Sequence, residues 1–206
     1  GLRVKSWPGQ FGGWDYDAEL AGQFGRFKFT PVGPGLDQEA YASHVAGGYT
    51  WAKTFGAPRL GLEYNYASGD DNPNDGRHET FDNLFPTNHK FYGFMDFFSW
   101  QNVHDVRLTG SIKPLAKLTV TADGHAFWLA NAHDAFYQVN GLPRGAINPA
   151  ATGVAGSSAG YGANPGSGNY VGSEVDLVFT YSLRPYATAQ AGYGHIFASP
   201  AASTTP

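Results

Sequence analysis

Apolar and polar residues alternate strictly along most of the chain. Between Arg59 and Ser68, Leu60, Leu62, Tyr64 and Tyr66 interleave with Gly61, Glu63, Asn65 and Ala67. This is the period of a strand with one apolar and one polar face. The same pattern predicts strands from Leu2 to about Trp7, Trp14 to about Phe29, about Gln38 to Trp51, about Val106 to Lys113, Leu118 to Trp128, Val171 to Leu183 and Tyr186 to Phe197. In the second, Trp14, Tyr16, Ala18, Leu20, Gly22 and Phe24 oppose Asp15, Asp17, Glu19, Ala21 and Gln23. In the seventh, Val171, Val175, Leu177, Phe179, Tyr181 and Leu183 oppose Gly172, Glu174, Asp176, Thr180 and Ser182.

These strands run to about 10–15 residues, above the mode of about 5–6 for globular proteins and enough for the roughly 9–11 tilted residues of a membrane strand. Their connections alternate in length. Pro8–Gly13, Lys53–Ala57, Pro114–Ala116 and Arg184–Pro185 are short, whereas the segments at about 69–102 and 133–169 are long and rich in turn formers. Short turns on one side and long loops on the other mark an outer-membrane barrel. If the short turns are periplasmic, the strand at 59–68 runs outward and the strand beginning near Val106 runs inward. Everything between them is then one excursion outside the wall or into the barrel mouth. The aromatic run Phe91–Phe98 is expected to be a short helix or irregular packing there, a plug or gate and not another span. By the same count the last strand runs outward, and a returning partner and further strands are expected beyond this piece.

Composition sharpens the question of what the apolar face meets. Of 206 residues, 15% are charged, below the roughly 25% of soluble domains, and 16% are aromatic. Mean hydropathy is negative, and no run of about 18 apolar residues forms a membrane helix. A soluble β-sandwich would show the same alternation, but aromatics clustered at strand ends beside small and aliphatic residues suit the girdle and lipid band of a barrel. The absence of Cys excludes a disulfide framework and thiolate metal sites, and the net charge of −4 gives no sign of nucleic acid. The opening Gly1-Leu2-Arg3-Val4-Lys5 already reads as the middle of a strand, with no signal peptide, so a processed or truncated chain is expected. The predicted fold is all-β: one domain over 1–206, a partial antiparallel transmembrane barrel of about eight strands with two long extracellular loops.

The segments YNYASGDDNPNDGRHETFDNLFPTNH, WQNVHDVRLTGSIKPLAKLTVTADGHAFW and YVGSEVDLVFTYSLRPYATAQAGYGHIF resemble the C-terminal half of alginate export family outer-membrane porins. WDYDAELAGQFGRF is similar to the same family, and only the Gly/Ala segment at 145–168 stands outside the resemblance. The resemblance implies a barrel of about 18 strands. It also implies passive export of an anionic, alginate-like polysaccharide through a charged lumen in the bacterial outer membrane. Its implied partners are outer-membrane lipid, the polysaccharide and a periplasmic export complex. A general diffusion porin for small solutes and a closed eight-stranded structural or adhesive barrel remain the alternatives.

The alternation puts Arg59, Glu63, Arg107, Lys113, Asp123, His125, Glu174 and Asp176 on the luminal face as a candidate substrate path. Arg59 and Arg107 offer bidentate contacts to a passing carboxylate. The competing reading pairs them with Glu63 or Asp123 as wall-stiffening ion pairs. Arg3 and Lys5 add positive charge, and Asp15, Asp17 and Glu19 make the lumen mixed. In the first long loop, Asp70, Asp71, Asn74 and Asp75 concentrate hard oxygen ligands as Ca²⁺ requires. Pro73 breaks the EF-hand spacing, and a solvated turn held by Asx hydrogen bonds is the plainer reading. His78, His89, His104 and His133 lie in or beside loops without i, i+4 pairing, and no G-x-S-x-G is present, so no catalytic site is expected.

Overall fold

A computed structural model describes residues 1–7, 10–28, 31–33, 35–72, 74–84, 91–143 and 168–199. It contains one antiparallel sheet built from β1 (Leu2–Lys5), β2 (Trp14–Phe27), β3 (Leu36–Thr50), β4 (Arg59–Ala67), β6 (Val103–Leu115), β7 (Leu118–Trp128), β8 (Tyr170–Arg184) and β9 (Ala187–Ala198). A two-residue strand, β5 (Arg77–His78), pairs in parallel with the start of β3. Each main strand otherwise pairs with its sequence neighbour, and β4 pairs directly with β6. The aromatic run at 91–98 is therefore not a span. Among the described residues Tyr92–Trp100 form no strand.

Among the described residues β1 and β9 do not pair, so the sheet is open, as in part of a barrel. The closed eight-stranded barrel is thereby excluded. The predicted boundaries need small corrections. β1 ends at Lys5, short of Trp7, and β6 begins at Val103, three residues before the clear alternation starts. The expected turn at Pro8–Gly13, the loop at 133–169, His89 and the C-terminal residues fall partly or wholly outside the described residues.

The two faces differ as the alternation requires. On the outer face Leu20, Phe24, Val45, Leu60, Leu62, Leu108, Val175, Leu177 and Phe179 are exposed, a band too apolar to face water. Aromatics collect at one rim, where Trp14 packs edge-on against Tyr49 and Tyr49 against Trp51. Val171 departs from its expected face. The pairing slips by one residue between Phe127 and Trp128, and Val171 is buried inside with 2% exposure. A bulge of this kind re-aims a side chain where regular pairing ends.

Among the described residues the extensive apolar core lies inside, at the loop end of the sheet. Phe98 stacks on Phe127 of β7 at 3.7 Å and packs against Phe136 at 5.0 Å, and Phe81, Tyr92, Leu129, Val103 and Val171 complete the cluster. The described parts of both long excursions thus fold back over the inner wall. Asn102 ties them together: its Nδ2 donates to the carbonyls of Asn131 and Ala135 at 3.0 and 2.9 Å, and its Oδ1 accepts the Asn131 amide at 2.7 Å.

The two faces make opposite predictions for the same substitution. Leu62→Arg places a charge against hydrocarbon near the middle of β4 and should lower folding stability in lipid bilayers by about 2–4 kcal/mol. Thr121→Arg, on the inner face of β7, should cost well under half of that. Denaturant titration of bilayer-folded protein checks the difference, and equal losses would mean that the outer face does not meet lipid.

Candidate functional site

Four strands bring their inward-facing charges into transverse rows. Across β4, β6, β7 and β8 the register sets Glu63 beside Arg107, Arg107 beside His125, and His125 beside Glu174. Arg107 is largely buried. Its Nε donates to Asp123 Oδ1 at 3.0 Å, and its Nη1 lies 3.4 Å from Glu63 Oε2. Both carboxylates named in advance as wall partners therefore hold it. Arg59 takes neither. It crosses β3 to Asp15 on β2, donating from Nε at 2.9 Å and from Nη2 at 2.5 Å. The crossing runs over Gly48 and Gly61, where the guanidinium lies against the backbone and a Cβ would collide with it.

The third arginine, Arg3, forks onto Asp17 at 2.9 and 2.5 Å with Glu19 at 3.6 Å. Fork-to-carboxylate pairs of this kind are the stronger class of ionic hydrogen bond. Lys113 is exposed beside the short turn and has no ion pair among the described residues. One row further toward the loops, Asp105 is sealed. It accepts from Asn65 Nδ2 at 3.0 Å and meets His125 Nδ1 at 2.9 Å, and Asn65 Nδ2 also reaches Glu63 at 2.9 Å.

Glu174 and Asp176 differ from the other carboxylates of these rows because they accept backbone amides. Glu174 Oε1 accepts the Met95 amide at 2.8 Å, and Asp176 Oδ2 accepts the Phe94 amide at 3.1 Å. The aromatic excursion is thus docked on β8 by its own backbone. A Cβ on Gly192 would sit 2.7 Å from the Phe94 ring, and one on Gly194 the same distance from Met95 Cγ, so β9 is flattened where those side chains press on it.

The acidic turn is divided by the fold. Asp70, Asp71 and Glu79 bring carboxylate oxygens within 4.8 Å of one another. Asn74 and Asp75 instead serve local turns, the Asn74 amide donating to Asn72 Oδ1 at 3.3 Å and Asp75 Oδ1 accepting the Arg77 amide at 2.9 Å. Glu79 joins the group because the chain folds back through β5, which the run of residues 70–75 does not reveal. Three carboxylates are fewer oxygens than the six to eight that Ca²⁺ takes, so carbonyls or waters would have to complete any shell. Beneath them Asp134 is buried and fully engaged, accepting from the Asp70 amide, Thr80 Oγ1, the Ala135 amide and the Tyr137 hydroxyl at 2.9, 2.6, 2.6 and 2.9 Å.

With the long strands, the apolar outer band and the charged inner rows established, the comparisons with known proteins decide the family. A family model described as alginate export matches residues 1–204, nearly the whole chain. The chain belongs to the alginate export family. A search of the curated proteins returns no match. Membership places the chain in a transport family of outer-membrane, porin-like proteins, and its open antiparallel sheet is consistent with part of a barrel.

Burial pushes the Asp70 carboxyl up to about 6 from its ordinary 3.8, with repulsion from Asp134 and Glu79 adding to it. A carboxyl whose affinity for a proton rises on folding contributes its full stability below about 3.8 and loses it as pH climbs through about 6. Amide-exchange protection of Asp70 and Asn72, corrected for intrinsic rates, should therefore be lower at pH 7.5 than at pH 5, and Asp70→Asn should remove the difference. Adding Ca²⁺ at pH 7.5 tests the ion directly: restored protection marks a bound ion, and unchanged protection a solvated turn.

Proposed function

We propose that this chain forms part of the wall of an outer-membrane channel that exports an anionic, alginate-like polysaccharide passively. The observation that carries the reading is the ladder of guanidinium–carboxylate pairs on the inner face: Arg3 with Asp17, Arg59 with Asp15, and Arg107 with Glu63 and Asp123. A uronate carboxylate is chemically the same ligand as the resident Asp or Glu. As it passes, it can replace a resident carboxylate on a guanidinium with little net change in the number of charge-assisted bonds. Conduction needs binding favourable enough to enter and weak enough to leave, and exchange against an internal competitor supplies both. A wall of free arginines would hold a polyuronate too tightly to release it.

Among the described residues the histidines next to the ionic rows are engaged within the wall. His125 is committed to Asp105, and His44 Nδ1 lies 2.7 Å from Asn65 Oδ1. Lipid contact on the outer face and a periplasmic export complex at the short-turn end belong to the same reading. The general diffusion porin differs in cargo alone, and block of single-channel current by oligouronates but not by neutral oligosaccharides of equal length separates the two.

The ladder makes opposite predictions for its two halves in planar bilayers containing the complete protein. Arg107→Ser, alone or with Arg59→Ser, should move the reversal potential toward cation selectivity. Asp123→Asn, which releases one bond to Arg107, should move it toward anions. Unchanged reversal potentials in all three variants would remove these residues from the conduction path and overturn the reading.

A further inference from the structure

Glu174 and Asp176 follow one another on the inner face of β8 and are sealed from water, with 0% and 3% exposure. Each gives one oxygen to an amide of the docked excursion. The other two oxygens, Glu174 Oε2 and Asp176 Oδ1, are buried and accept no hydrogen bond. The oxygens that do accept take the amides of consecutive residues, Phe94 and Met95, which sets the two carboxyl groups side by side. Two ionised carboxylates side by side, each with a buried oxygen lacking a donor, would combine like-charge repulsion with desolvation.

Of the surrounding groups, His125 offsets this in part. Across β7, His125 stands opposite Glu174 and Asp123 opposite Asp176. His125 Nδ1 is engaged by Asp105, and on β6 Arg107 is held by Asp123 and Glu63. On β9 the facing residues are Ile196 and Gly194, and the ionisable residues flanking Gly93–Met95 in the excursion are Tyr92 and Asp96. A hydrated or multiply coordinated metal ion does not fit. The backbone at Gly93 lies so close that a Cβ there would sit 2.6 Å from the Glu174 carboxyl atoms, and one on Gly194 would sit 2.6 Å from Asp176 Oδ1. A divalent ion such as Ca²⁺ needs six to eight oxygens in that space.

We propose that Glu174 and Asp176 form a proton-binding site, one proton lying between Glu174 Oε2 and Asp176 Oδ1, and that this proton latches the 93–95 segment onto β8. Docked, the pair carries a single negative charge, and both of its outer oxygens accept amides of the excursion. Undocked, water reaches both carboxyl groups, both ionise, and the proton passes to solvent. One proton is released per undocking, so the docked population falls as pH rises, by up to about tenfold in the docking equilibrium per pH unit.

Hydrogen exchange at the Phe94 and Met95 amides of the complete protein in bilayers reads docking directly and does not depend on the cargo. Between pH 5 and 9, protection corrected for intrinsic rates should fall with pH, with a slope approaching tenfold per unit. In Asp176→Asn the carboxamide offers Glu174 a permanent donor, so protection should persist and lose its pH dependence. Glu174→Gln should behave in the same way and serves if the first variant does not fold. The infrared difference spectrum of wild type minus either variant, recorded at one pH near 6, should show a protonated-carboxyl band. Protection independent of pH in the wild type, or the absence of that band, would overturn the proposal. Loss of the pH slope in both variants would support the latch whatever their ion selectivity, which belongs to the separate test of the export reading.

Discussion

Inside a bilayer no water is available to an amide, so every backbone N–H and C=O in the hydrocarbon must find its partner within the protein. That constraint sets the form of this chain. It enforces unbroken pairing of neighbouring strands, sends one side of every strand to lipid, and gathers polar residues on the other side at a density a soluble core would not tolerate. The ionic rows follow from it. Carboxylates and guanidiniums crowded on one wall must satisfy each other across strands, and Arg59 passes over two glycines to reach Asp15.

The same constraint explains what the amino-acid pattern revealed. Because a one-residue slip would put every charge into lipid, alternation in β2, β4, β6, β7 and β8 is strict, and the inward residues were readable position by position. The direct pairing of β4 with β6 was readable too, since loop lengths and strand direction leave no place for a span at 91–98. Where the constraint relaxes, so does the pattern. At the loop end the pairing slips at Val171, and the excursions are fixed by single side chains, Asn102 and Asp134, whose partners lie tens of residues away and follow no period.

Site residues divide along the same line. The face of Arg59 was clear, but its partner was not, because a long side chain reaches diagonally and skips its register neighbours. The acidic turn was visible as composition, yet Glu79 enters it only through β5, a two-residue pairing too short to leave a signature. Asp105 stands before the point where alternation becomes obvious, and its engagement with Asn65 and His125 became visible only with the register.

The excursion that carries Phe94 and Met95 rests on β8 and β9 without contributing a rung to either. From Gly172 to Tyr181, β8 has its neighbours on both sides, and the segment meets the sheet through two carboxyl groups of β8 and the flat places left by glycine on β9. Departure of its 93–95 segment would break no backbone pairing of β8 with β7 or β9. The bore of the channel can therefore change while the cylinder around it stays intact, so movement inside is uncoupled from integrity outside.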